Sequence, residues 1–154
     1  PALGAFAQVT LALGAGEATT DTPRPVVLHQ SVGTESRRLG GLVHHHLAGA
    51  LATMGGEWTE LDDAGVYPLL NQRGEDYFVV LQSTGTAAVR VEVLASAARE
   101  SALLDDEEGR STIAEALAEA IARFLVTDEI GDGYVEPENP VRQAPTSNTP
   151  GGCD

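Results

Sequence analysis

The sequence predicts an α/β fold, a three-layer sandwich with a mixed central sheet and helices on both faces. Three observations lead there. Short apolar runs of strand length are bounded by Gly and Pro, two long stretches carry apolar residues at three- and four-residue spacing, and the two kinds of segment interleave along the chain. The chain has 154 residues, of which 42% are hydrophobic and 21% charged, enough to bury the core of one domain.

Phe6 to Leu13 is an apolar run closed by Gly14 and Gly16, and its length and flanks predict a buried strand. Residues 15–25 are polar, contain Pro23 and Pro25, and read as a loop. Val26 to His29 is a second short strand. From Thr34 the period changes: Leu39, Leu42, Val43, His46, Leu47, Ala50, Leu51 and Met54 form one helical stripe. Thr34 or Ser36 is placed to cap this helix, and Gly55-Gly56 to end it. Gly40 and Gly41 inside it each cost about 1 kcal/mol relative to Ala, which a close approach of helix to sheet would explain.

Residues 57–75 read as an irregular connection. Tyr77 to Leu81 is rich in β-formers, and residues 88–94 form a strand with Arg90 and Glu92 on one side and Val89, Val91 and Val93 on the other. A short helix over 97–104 precedes the acidic run Asp105 to Glu108, which reads as helix-start charge. A second long helix over 111–125 buries Ile113, Leu117, Ala120, Ile121, Phe124 and Leu125. Residues 1–127 are thus expected as the domain, and 128–154, rich in Pro and Gly, as a linker or loosely attached tail.

The net charge is −14, which disfavours nucleic acid and anionic membranes as partners. No apolar run approaches the ~20 residues of a membrane span. The single cysteine, Cys153, excludes an internal disulfide and a cysteine-based zinc cage. The chain begins at Pro1 with no signal-like segment, so it reads as a processed or excised piece.

His44-His45-His46 point about 100° apart on a helix and cannot all reach one metal. They read as surface and boundary histidines. Glu92 is the sharper candidate: a carboxylate in an apolar strand is costly to bury unless it is paired or working. It either faces solvent, pairs with an arginine such as Arg90, or marks a site at the C-terminal end of a central strand. Ser31, Ser36 and Ser83 lack a nucleophile-elbow context, and Gly14-Ala15-Gly16 is too short for a dinucleotide loop.

Several segments in order resemble one family. Ser36-Arg37-Arg38-Leu39, Tyr77 to Gln82, Val89 to Ser96, Glu100 to Leu104 and Thr112 to Leu125 are similar to stretches of the zinc-dependent N-acetylmuramoyl-L-alanine amidases of the amidase-3 type, which are cell-wall hydrolases. The resemblance covers residues 6 to about 127 as the C-terminal portion of that domain. It implies Zn²⁺ held by two His and one Glu, a second Glu as general base and acid, and cleavage of the muramoyl–L-alanine amide. Glu92 matches that second glutamate and is the one catalytic residue the resemblance carries over.

Departures from the family are specific. Ala12 stands where the third zinc ligand belongs, Gln82 where an Arg is usual, Val26 where a Glu is frequent, and Arg90 brings charge to an apolar strand position. His29 is one strand away from a ligand position. The first two ligands belong to a segment upstream of this chain's residues. The expectation is therefore an amidase-like domain without a recognisable zinc site and inactive as it stands. The alternatives are a non-catalytic peptidoglycan-binding or scaffolding module of the envelope, and an enzyme completed by other residues. The resemblance further implies peptidoglycan or muropeptide as partner and a secreted or envelope location. An incomplete sheet would leave an open strand edge or apolar patch, favouring self-association.

Overall fold

The computed structural model describes residues 6–13, 25–54, 65–82, 85–94 and 97–136. Its centre is a four-stranded sheet of β1 (Ala7–Ala12), β2 (Val26–His29), β3 (Gly65–Tyr67) and β4 (Ala87–Glu92), in the order β1-β4-β2-β3. β1 runs parallel to β4, β4 antiparallel to β2, and β2 parallel to β3, so the sheet is mixed as expected. The helices are α1 (Thr34–Thr53), α2 (Ala97–Asp105) and α3 (Glu107–Val126).

Alternation along the strands builds two cores. Ala87, Val89 and Val91 of β4, Val27 of β2 and Val66 of β3 face α1 and α3. There they meet Leu39, Leu42, Val43, Leu47 and Leu51 of α1 and Ile113, Ala116, Leu117, Ala120 and Phe124 of α3. Each buried leucine contributes roughly 1.5–3 kcal/mol. The opposite face carries Val26, Leu28 and Ala88 and is covered by Leu69, Tyr77, Phe78, Val80 and Leu81. Gly40 lets α1 approach the sheet: a Cβ there would come within 2.8 Å of the Val66 side chain.

Several local expectations change. Tyr77 to Leu81 is not a strand; it ends in a 3-10 turn at Val79–Leu81, because Tyr77 N–H bonds to Leu69 O at 2.8 Å and folds the segment over the sheet face. Its β-forming side chains are cover for the sheet. β3 arises inside the segment expected to be irregular, too short for periodicity to reveal. β1 is half-buried, with Leu11 52% exposed, because it lies at the margin of the sheet among the described residues. Ser36 does not cap α1; its hydroxyl accepts from Ala88 N–H at 3.1 Å and donates to Gln30 Oε1 at 3.3 Å, tying the start of the helix to β4. α3 starts at Glu107, four residues earlier than expected, with Asp106 as cap accepting from Gly109 N–H at 2.8 Å.

The Pro/Gly-rich tail expected from residue 128 begins with a docked stretch. Arg38 donates to the carbonyls of Phe124 and Thr127 at 3.0 Å each, fixing the exit of α3. Asp132 N–H bonds to Gly41 O at 3.2 Å, Val66 N–H to Gly133 O at 2.8 Å, and Val135 N–H to Val66 O at 3.2 Å. Residues 133–135 thereby run alongside β3. Gly55, Gly56, Cys153 and residues 137–154 lie outside the described residues.

Candidate functional site

Because β1 and β4 are parallel and β2 is antiparallel to β4, the last residues of β1 and β4 and the first of β2 meet at one end of the sheet. Ala12, Glu92 and Val26 form a row across three adjacent strands there. Thr10, Arg90 and Leu28 form the next row on the same face. These are positions that the sequence could not align with one another, since they lie 80 and 66 residues from their β4 partners in the order Ala12, Glu92, Val26.

Glu92 is 8% exposed. Its Oε1 accepts from Arg90 Nη2 at 3.3 Å, so the carboxylate is buried and paired with Arg90 at the C-terminal end of β4. The Arg90 guanidinium stacks over the Phe78 ring with Cζ 4.1 Å from its centroid. The i, i+2 spacing puts both charges on one face, and the fold of residues 77–81 brings the aromatic ring to them. Beyond the strand, Leu94 N–H donates to Glu100 Oε1 at 2.7 Å, which ties the end of β4 to α2.

Nothing in this row fits a zinc ion. Glu92 is its only oxygen donor, both flanking positions are aliphatic, and the nearest charged neighbour is a cation. Among the described residues no three His, Cys, Asp or Glu side chains form a metal-holding group. His29 cannot substitute. It pairs with Val89, three positions from Val26 along β2, about 10 Å at ~3.4 Å per residue, and its side chain lies on the α1 face beside Gly40.

His29 is instead a buried structural group whose Nδ1 lies 2.8 Å from Gln30 O. Burial lowers its pKa from the ordinary 6.5; Arg37 adds to this, while the Gln30 bond and Asp76 oppose it. Stability from a neutral buried imidazole is complete above the unfolded value and is lost as pH falls towards the folded one. The unfolding midpoint of the wild type should therefore drop between pH 7 and pH 5 more steeply than that of His29→Gln, and equal slopes would contradict this origin.

The histidine run divides differently than its stripe position suggests. His44, not His46, is the buried member. His44 Nδ1 lies 2.9 Å from Asp132 Oδ1 and the exposed His45 Nδ1 2.7 Å from Oδ2, so one carboxylate clamps both rings. Burial raises the Asp132 pKa, but the bonds from His45 and His44 outweigh it and the net shift is downward. The Gly131-Asp132-Gly133 sequence was the available signal: the glycines adopt φ of 69° and 79° and allow the carboxylate to reach α1.

No protein-family model matches the sequence, and no curated protein matches it significantly. Among solved structures the chain is similar to the CwlD amidase from Clostridioides difficile in complex with the GerS lipoprotein. That similarity has a TM-score of 0.56 at 20% identity and covers 80% of this chain and 56% of that one. It is also similar to the N-acetylmuramyl-L-alanine amidase Ami1 from Mycobacterium smegmatis, with a TM-score of 0.53 at 22% identity over 78% of this chain and 54% of that one. At these identities the likeness is one of fold. The chain spans a little over half the length of these amidases.

Proposed function

We propose that this chain is an amidase-like domain of the cell envelope or secreted space that binds peptidoglycan or muropeptides without cleaving the muramoyl–L-alanine amide. The observation that carries the proposal is the Ala12–Glu92–Val26 row. The position that resembles the family's general base is a buried carboxylate at the strand ends, and the position that resembles a metal ligand is an alanine directly beside it. The fold shared with the CwlD amidase and the N-acetylmuramyl-L-alanine amidase Ami1 supports a substrate of that class. In this reading Glu92 keeps the general base's place and Arg90 holds its carboxylate.

The donor set of this row does not fit zinc. Had the metal been held, it would have supplied an activated water. The remaining chemistry of the site is recognition: a charged pair backed by Phe78 at the end of the sheet.

The test is co-sedimentation with purified peptidoglycan, together with an assay for released stem peptides with and without added Zn²⁺. Retention above that of an unrelated acidic domain, and no peptide release in either condition, is the expected result. Absence of retention overturns the binding function, and zinc-dependent release overturns the loss of activity.

A further inference from the structure

Glu92 faces a cation that cannot leave. Arg90 is covalently fixed two residues away on the same face of β4, and a guanidinium stays protonated at every physiological pH. Its side chain is 18% exposed and its Cζ lies 4.1 Å from the Phe78 ring centroid, so ring and carboxylate together hold the charge in place. Nε is buried without a hydrogen-bond partner among the described residues. The orientation of the group is therefore set by the Glu92 contact and the aromatic stack, and not by a bond at Nε.

From this geometry we propose that Arg90 is a built-in counter-cation: it supplies the positive charge beside Glu92 and keeps divalent cations out of the Ala12–Glu92–Val26 row. The significance of that row rests on the amidase-like reading, while the exclusion itself is a property of the charges. A divalent ion arriving at Glu92 would have to displace the guanidinium from the carboxylate and then remain within a few ångströms of it. Like charges at that separation in a half-buried site repel strongly. The aliphatic neighbours offer no ligands in compensation. Among the described residues the charge of Glu92 is thus balanced by Arg90, and the two present themselves to partners as a neutral pair and not as an open anionic donor.

The direct test gives the row ligands and then removes the cation. The full chain carrying A12H/V26H places two imidazoles on either side of Glu92, and A12H/V26H/R90L does the same without the guanidinium. Titration with Zn²⁺, or with Co²⁺ followed by its visible absorption, should show the second protein binding at least ~10-fold more tightly, as repulsion at a few ångströms demands. Equal affinity, or tighter binding with Arg90 present, overturns the proposal.

Should the substituted row impair folding, thermal unfolding of R90L, E92L and R90L/E92L decides the same point. R90L alone should lower the midpoint by several degrees, and R90L/E92L should recover most of that loss. Additive losses would show that the guanidinium is not the counter-charge of Glu92. Peptidoglycan retention by the wild type is independent of both results, so failure of the amidase-like reading and failure of the counter-cation are separately visible.

Discussion

Gly41→Ala is expected to destabilise the protein by about 1–3 kcal/mol, the range for forcing an extra carbon into a filled space, and to release residues 127–136 from α1. A Cβ at Gly41 would overlap the Ile130 carbonyl oxygen and the Tyr134 hydroxyl. The two backbones are in contact here: Asp132 N–H bonds to Gly41 O at 3.2 Å, and a Cβ on Gly131 would overlap the Gly41 carbonyl. Neither partner can rotate aside, since one is a carbonyl and the other a ring held by Arg37, whose Cζ stacks 4.4 Å from the Tyr134 centroid. Losing the segment would also remove Asp132 from His44 and His45 and free the Val66 and Val135 amides for exchange.

Gly49→Ala is the internal control for that prediction. It lies on the same helix with nothing within 4 Å of the added carbon. There only helix propensity acts, and the substitution should stabilise by about 0.5–1 kcal/mol. Denaturant unfolding of the two variants, with amide exchange at Val66 and Val135, separates close approach from propensity. Unchanged exchange in Gly41→Ala would remove the case for backbone contact as the reason for this glycine.

The glycines also show what the sequence could and could not convey. Gly40 was readable as a helix–sheet contact because α1 is a long stripe whose buried side is fixed by period. The same expectation fails at Gly41, whose partners Ile130 and Tyr134 lie some 90 residues further on in a stretch whose Pro and Gly content imitates a linker. Composition cannot distinguish a glycine that loosens a chain from one that permits contact. The same limit applied to Tyr77 to Leu81, where aromatic and β-branched residues serve equally well in a strand or as its cover.

At the candidate site, the alternation of β4 was enough to put Arg90 and Glu92 on one face. It could not say that Ala12 and Val26 flank Glu92, because that depends on the strand order β1-β4-β2 and on its register. Nor could it place Phe78 beneath Arg90, since that required residues 77–81 to leave the sheet. The family resemblance gave Ala12 and Glu92 separate roles, and only the parallel register of β1 and β4 places the two side by side.

Glu100→Ala should be the most damaging substitution near that site, costing about 3 kcal/mol, as is usual when a buried charged acceptor is taken from its donors. Glu100 is 1% exposed, and its Oε1 accepts from Leu94 N–H at 2.7 Å. Leu94 is itself buried, so the amide would be left without this acceptor and without water. The bond links Leu94, two residues beyond Glu92, to α2. Its loss should therefore loosen the strand end that carries the Arg90–Glu92 pair before it affects α3. Glu100→Gln keeps an oxygen acceptor of the same length and should cost only about 1 kcal/mol, the size of a weakened hydrogen bond. The two variants are distinguished by denaturant unfolding. If alanine and glutamine prove equally harmful, the charge and not the Leu94 bond is what Glu100 contributes, and if both are harmless Leu94 is held to α2 by other contacts.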